Sequence, residues 1–225
     1  QHAGYHFVSG EEVLRFLQGQ AGLPRNAVLL TFDDGYEELL ADVLPMLTAR
    51  AIPAIVFAVT QQLGGTNEWD KRIGAASLRL LDICGLQRLR EQGIEIGAHS
   101  RTHKMLSRLA IHQLQEEIAG SVEDLEAVGL GRPRFFSYPH GEFSTCVQQV
   151  VQEVGLQAAF TIDPGLVRPG QNPYQLPRIE ILRGDVGWQF RWKVALAGRR
   201  LFSFNFPTRN KHRLLKFIQK YMVRD

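Results

Sequence analysis

Ala27-Val28-Leu29-Leu30-Thr31-Phe32 runs directly into Asp33-Asp34-Gly35-Tyr36, and Leu39, Leu40, Val43, Leu44 and Leu47 follow. The first six residues are almost wholly apolar and read as the first clear strand. The aliphatic residues after the turn recur at helical spacing. A buried strand, a polar turn and a helix in that order form the repeating unit of a mainly parallel α/β fold.

The unit recurs downstream. Ala54-Ile55-Val56-Phe57-Ala58-Val59 reads as a second strand, followed by a Gly64-Gly65-Thr66-Asn67 loop and a helix from Leu78 to Gln92 that stops at Gly93. Ile94 to Ala98 is a third strand and enters His99-Ser100-Arg101-Thr102-His103. Ile111, Leu114, Ile118, Val122 and Leu125 mark an amphipathic helix. A fourth strand from Arg134 to Tyr138 ends in Pro139-His140-Gly141, and Val147, Val150, Val151 and Val154 mark the next helix. Ala158 to Ile162 and Pro177 to Leu182 complete six strands, and residues 211 to 223 read as a closing helix.

With 225 residues, 44% of them apolar and 22% charged, the chain can bury one sizeable core, and a single domain over 1–225 is expected. Lys and Arg exceed Asp and Glu by 26 to 23, and much of the excess follows residue 178, in Gly198-Arg199-Arg200 and Arg209-Asn210-Lys211-His212-Arg213. This basic extension reads as a solvated helix face rather than a contact with an anionic surface, and no nucleic-acid partner is expected. Cys84 and Cys146 form neither a disulfide framework nor a close metal-thiolate pair, and are expected to be buried fillers. The sequence contains no run of about 18 apolar residues that could span a bilayer. The chain starts Gln1-His2-Ala3 without Met, which leaves room for a targeting segment upstream and leaves the compartment open.

In strand-helix alternation, sites gather where the carboxyl ends of strands meet their loops. The polar clusters after Phe32, Ala98 and Tyr138 all fall there. Taken singly, Asp33-Asp34-Gly35 is an ordinary turn or helix cap, and His99 and His103 are ordinary loop histidines. Together they can hold a cation. Two adjacent carboxylates in a pocket of low dielectric repel each other, and a cation removes that conflict. Histidines four residues apart can converge on one ion, and Asp34 with His99 and His103 gives three ligands with positions left open. Asp33 is then the spare carboxylate, suited to take a proton from an attacking water as general base. Arg178 and Arg134 are the two candidates to hold it. The turn at Tyr138-Pro139-His140-Gly141 can offer backbone N–H donors to an oxyanion.

Thr31-Phe32-Asp33-Asp34-Gly35-Tyr36 and Gly97-Ala98-His99-Ser100-Arg101-Thr102-His103 closely resemble the first two motifs of the polysaccharide deacetylases, the NodB-homology or carbohydrate esterase 4 family. The resemblance continues through Ile52-Pro53-Ala54, Gly64-Gly65-Thr66-Asn67, Phe136-Ser137-Tyr138-Pro139-His140-Gly141, Ala158-Ala159-Phe160-Thr161 and Leu176-Pro177-Arg178-Ile179, so it covers roughly residues 25 to 185. It implies a distorted (β/α) barrel of seven units, with the first strand missing or shortened, and the basic extension 186–225 lying beyond the core. It implies Asp33 as base and Asp34, His99 and His103 as ligands of a divalent metal, zinc first, with cobalt or nickel as substitutes. It implies His140 as the residue whose backbone N–H meets the oxyanion, within a substrate-binding turn of Tyr138, Pro139 and Gly141. An extracytoplasmic or cell-surface setting is also favoured by the resemblance.

Two family motifs are altered. Ser137 stands at the Arg position of the third motif, so Arg178 or Arg134 has to orient Asp33. Leu176-Pro177-Arg178 stands where a Leu-x-His element carries the general acid, which leaves the acid unassigned between the His140 side chain and a water on the metal. The expected activity is removal of acetyl groups, N-acetyl before O-acetyl, from a glycan. The alternatives are a hydrolase of small cyclic amides and a carbohydrate-binding module that keeps the metal without turnover. An iron oxygenase site of two histidines and a carboxylate is disfavoured by the residue order and by the parallel α/β pattern. Oligomeric state is left open.

Overall fold

In a computed structural model, residues 4–73, 76–182, 185 and 187–196 are described. They fall into two compact units. The first runs to Asp163 and resumes over Val167–Arg178, while the second takes Pro164–Leu166 and the described residues from Ile179 onward.

In the first unit, β1 (His6–Phe7) precedes α1 (Gly10–Leu17) and pairs in parallel with β2 (Ala27–Val28). Ser9 caps α1, its hydroxyl accepting the Glu12 N–H while the Glu12 carboxylate accepts the Ser9 N–H. The run read as one strand, Ala27 to Phe32, is divided at Leu29: β2 joins β1, whereas β3 (Leu30–Phe32) opens the main sheet. The helical spacing after Asp34 becomes a π-helical turn over Leu39–Val43 and then α2 (Leu44–Thr48), restarted at Pro45, which has no N–H to give. Then follow β4 (Ala54–Ala58), α3 (Ile83–Glu91), β5 (Glu95–Ala98), α4 (Ile111–Ala127), β6 (Phe135–Ser137), α5 (Thr145–Glu153) and β7 (Ala158–Phe160).

The main sheet has five parallel strands in the order β3-β4-β5-β6-β7. Neighbours in sequence are neighbours in space, with no reversal of winding. Each unit adds to the same edge, as in a barrel rather than a doubly wound sheet. The strands form a curled half-barrel clothed by helices, a distorted (β/α) barrel. Along β4 the side chains alternate between two cores. Ala54, Val56 and Ala58 pack with the apolar faces of α3, α4 and α5, whereas Ile55 and Phe57 pack with Phe135, Phe160 and the Val13, Leu14 and Leu17 face of α1. Burial on both faces explains why β4 reads as an unbroken apolar run.

Three expectations are corrected. The helix read from Leu78 begins only at Ile83, where the Asp82 carboxylate accepts the Gly85 N–H at 2.7 Å. Leu80 and Arg79 instead form antiparallel bridges to Tyr36 and Thr66. Pro177 to Leu182 is not a strand. Leu176 makes a single parallel bridge to Phe160, and the next residue is a proline that cannot donate to a ladder. Cys84 and Cys146 are exposed thiols rather than buried fillers. The closing helix at 211 to 223, and the Arg199-Arg200 and Arg209 to Arg213 clusters, lie outside the described residues.

In the second unit α6 (Gly187–Leu196) falls where no element was read. Lys193 donates to the Glu180 carbonyl at 2.9 Å and pairs with Asp185, and Trp188, Phe190 and Trp192 are exposed.

Candidate metal centre

Parallel strands bring their carboxyl ends to one edge, so the residues after β3, β5 and β6 meet there. Asp33 and Asp34 follow β3, His99 follows β5 and opens a loop to His103, and Tyr138-Pro139-His140-Gly141 follows β6. Asp34, Ser100, His103 and His140 all adopt positive φ, at 68°, 62°, 59° and 58°. For residues with a Cβ this conformation costs about 1–2 kcal/mol each, so surrounding contacts have to hold it.

One oxygen of Asp34 is the focus. Its Oδ1 lies 3.4 Å from His99 Nε2 and 3.3 Å from His103 Nε2, and is buried without a hydrogen-bond partner. Ligand atoms of the three residues lie within 4.8 Å of one another. Ligands about 2.0–2.1 Å from a tetrahedral ion stand about 3.3–3.4 Å apart, so the Asp34-to-histidine spacing fits a zinc-sized cation. His99 Nδ1 lies 2.6 Å from the Ser137 carbonyl. A proton on Nδ1 donates there, which leaves the Nε2 lone pair facing Asp34. Burial opposes ionisation of Asp34, but the His103 and His99 imidazoles outweigh it and hold the carboxyl far below its ordinary range. Burial also opposes a charge on each histidine. It prevails at His103, whose pKa is lowered, whereas at His99 the Asp34 and Asp33 carboxylates raise it. The donor set of one carboxylate and two imidazoles, gathered around an unpartnered buried oxygen, fits a divalent cation.

Asp33 is turned the other way. Arg178 reaches both of its oxygens, NH1 to Oδ1 at 2.8 Å and NH2 to Oδ2 at 2.7 Å. The same guanidinium donates to the Thr161 carbonyl, the Thr31 hydroxyl and the Ser137 hydroxyl at 2.8, 3.2 and 3.0 Å. Ser137 in turn donates to Asp33 Oδ2 at 3.2 Å. Burial pushes the Asp33 carboxyl up, yet the Arg178 charge beside it prevails and keeps it below the usual carboxylate range. Arg134, the other candidate, lies elsewhere: it pairs with Glu95 and Glu11.

The turn after β6 narrows to one donor. The Tyr138 N–H donates to the Phe160 carbonyl at 3.1 Å, the Gly141 N–H to the Tyr138 carbonyl at 2.8 Å, and Pro139 has none. The His140 N–H has no acceptor among the described residues. The Tyr138 side chain is fully buried and donates to the Tyr174 carbonyl at 3.0 Å, so it shapes the turn from beneath. Gly141 has φ 69°, and a Cβ there would sit 2.2 Å from Ile162. The exposed His140 ring lies edge-on to that of His103, with centroids 4.5 Å apart.

Several contributors carried no signal that the sequence reading used. Ser137 serves both halves of the site, its hydroxyl on Asp33 and its carbonyl on His99. Trp69 stacks on His103 at 4.2 Å. An aromatic residue two places after Gly64-Gly65-Thr66-Asn67, in a loop at a strand's carboxyl end, was the available clue. Glu117 and Asp124 of α4 bind the loop between the histidines, although on sequence they belong to the helix's polar face.

The family model described as polysaccharide deacetylase matches residues 20–159. The Bacillus subtilis protein YxkH is 25% identical over 187 residues, 83% of this chain and 63% of that protein. The poly-β-1,6-N-acetyl-D-glucosamine N-deacetylase of Staphylococcus aureus is 24% identical over 177 residues, 78% of this chain and 61% of the enzyme. The chain therefore spans less than two thirds of the length of these relatives. Among solved structures, IcaB of Ammonifex degensii superposes with a TM-score of 0.75 at 22% identity, covering 87% of this chain and 83% of that one. The deacetylase PplD of Streptococcus pyogenes gives 0.71 at 21% identity, with 86% and 81% covered. At these identities the structural likeness speaks for the fold.

Proposed function

The chain belongs to the polysaccharide deacetylase family, and from that premise we propose that it is a metal-dependent hydrolase that removes acetyl groups from an N-acetylated glycan. The substrate class follows the Staphylococcus aureus relative, named for poly-β-1,6-N-acetyl-D-glucosamine, and a polymer of this kind favours an extracytoplasmic setting. One observation carries the reading: an Asp34 oxygen at ligand spacing from two imidazoles, beside a second carboxylate that Arg178 keeps charged.

Asp34, His99 and His103 are the ligands of a divalent cation, zinc first. When bound, the cation supplies Lewis acidity, polarising the acetamide carbonyl and acidifying a water beside it. Asp33 takes the proton of the attacking water. Arg178 fixes both Asp33 oxygens and keeps the carboxylate ionised, hence able to accept. As the carbonyl carbon becomes tetrahedral, the His140 N–H donates to the oxygen that gains charge. Tyr138, Pro139 and Gly141 hold that N–H in place. The C–N bond then breaks, the departing amine takes up a proton, and acetate is released.

Acetate release from poly-N-acetylglucosamine, chitin oligomers, peptidoglycan and acetylxylan, measured with added zinc, tests the reading. Release from an N-acetylated polymer, abolished in Asp33→Asn and His99→Ala, supports it. Turnover of small cyclic amides alone would move the chain to amide hydrolysis of another kind. Zinc binding without any turnover would leave a carbohydrate-binding module, and release unaffected by Asp33→Asn would remove the base assignment.

A further inference from the structure

We propose that α4 sets the metal affinity of this protein through Glu117 and Asp124, two carboxylates that hold the His99–His103 loop in its ligand-presenting shape without contributing a ligand atom. The inference rests on the metal-site reading above. It starts from an asymmetry between the two histidines. His99 is fixed from the sheet, its backbone N–H donating to the Ala58 carbonyl at 3.0 Å and its ring held by the Ser137 carbonyl. His103 has no such hold, for its Nδ1 is buried without a hydrogen-bond partner. Its aim is therefore set by the backbone that delivers it and by the Trp69 ring stacked on its face.

That backbone is irregular, with Ser100 and His103 both at positive φ. Within the loop, the Ser100 hydroxyl accepts the His103 N–H at 3.0 Å. The two residues between them are tied to α4. Thr102 donates its N–H to Glu117 Oε2 at 2.9 Å and its hydroxyl to Glu117 Oε1, and Glu117 is itself buried. Lys104, just past His103, pairs with Glu117 Oε1 at 3.2 Å. The Arg101 N–H donates to the Glu117 carbonyl at 3.1 Å.

The Arg101 side chain makes a second tie. It lies across α4 at Gly120, where an added Cβ would fall 2.2 Å from its Cζ. From there it forms a two-point ion pair with Asp124, 2.9 Å from Nε and 2.7 Å from NH2. The Thr60 hydroxyl also donates to Asp124 at 2.6 Å, and the Thr60 and Gln61 amides donate to the Ser100 and Arg101 carbonyls. A carboxylate of this kind, paired and hydrogen-bonded, selects one loop geometry in advance of the ion. Without it the loop has to be ordered when the cation binds, and affinity falls by that ordering cost.

The test is zinc affinity by competition with a chromophoric chelator, for the wild type, Glu117→Gln, Asp124→Asn, Thr102→Val and His99→Ala. The melting temperature of each metal-free protein and the visible spectrum of its cobalt form are measured alongside. The three loop-holding variants are expected to stay folded, to bind zinc roughly tenfold to a hundredfold more weakly, and to show an altered cobalt band. Unchanged affinity and spectrum in folded variants overturns the proposal, as does a melting temperature lowered equally with and without zinc. Should a carboxylate variant fail to fold, Thr102→Val, which removes one hydroxyl, decides by the same readouts. A wild type that binds no zinc overturns the metal reading itself. A wild type that binds it, with loss in His99→Ala but not in the α4 variants, overturns only this inference.

Discussion

Arg178 meets Asp33 across 145 residues of chain through two parallel N–H···O bonds, at 2.8 and 2.7 Å. This pairing takes the guanidinium's planar fork, for an ammonium is a point donor and cannot span both oxygens while also reaching the Thr161 carbonyl. Arg178→Lys keeps the charge but loses the fork. Deacetylation by this variant is expected to fall about 10- to 100-fold in kcat, as a misplaced base would produce. Zinc content should be unchanged, because Arg178 touches none of the three proposed ligands, Asp34, His99 and His103. Wild-type turnover in Arg178→Lys would show that charge alone suffices.

Ser137 offers a finer separation. Its hydroxyl joins Asp33 to Arg178, whereas its backbone carbonyl receives His99 Nδ1. Ser137→Ala deletes the first function and keeps the second. A hydrogen bond to a charged group contributes about 1.5–3 kcal/mol, so kcat is expected to drop on the order of tenfold or more. Zinc affinity should stay at the wild-type value. Loss of zinc in this variant, measured by the same competition titration, would mean the hydroxyl and not the carbonyl supports the histidine.

The sequence exposed the half of the site that depends on strand ends. Asp34 and His99 stand just past apolar runs, with His103 in the loop that His99 opens, and parallel pairing brings the ends of such runs together. The choice between Arg134 and Arg178 was lost through one misread element. Arg134 precedes β6 and so lies at the amino edge of the sheet, where it meets Glu95 at the start of β5. Had Pro177 to Leu182 been a strand, Arg178 would have stood at that same edge. Instead the parallel bridge is made by Leu176, and Arg178 follows it, on the carboxyl side with Asp33. Glu117 and Asp124 were illegible for another reason. A carboxylate on the polar face of a helix looks the same whether it meets water or a loop donor, and only the tertiary fold tells them apart. Likewise Asp82, an N-cap by type, was absorbed into a helix begun too early at Leu78.

The Asp124 tie has a pH signature that can be read without substrate. Burial works against ionisation of this carboxyl, but hydrogen bonds from Arg101 and Thr60 prevail and hold its pKa below the ordinary 3.8. The folded state therefore binds the proton less tightly than the unfolded state. The stabilisation is fully present above the unfolded value and is lost as pH falls through the lowered folded one. Asp124→Asn should be less stable than the wild type at neutral pH by about 1.5–3 kcal/mol, in metal-free denaturation curves. The gap should narrow as pH falls below 3.8, where the wild-type carboxyl also takes up its proton. A gap that persists undiminished into that range would assign the loss to shape rather than charge.

Gly120 gives a prediction whose sign is reversed by Arg101. In the interior of an exposed helix, Gly→Ala ordinarily stabilises by about 1 kcal/mol, since alanine has less backbone freedom to lose. Here the new methyl would fall 2.2, 2.3 and 2.5 Å from Cζ, Nε and NH1 of Arg101. The guanidinium has to leave its path across α4, and with it the two-point contact with Asp124. Gly120→Ala is therefore expected to destabilise the metal-free protein by about 1–3 kcal/mol, the usual cost of overpacking. In an Arg101→Ala background these three nearest contacts are gone, and the same substitution should become neutral or stabilising. The difference between the two backgrounds is the coupling of Gly120 to Arg101, expected at about 0.5–3 kcal/mol from denaturation of all four proteins. Equal effects of Gly120→Ala in both backgrounds would show that Arg101 does not depend on the bare backbone at this turn of α4.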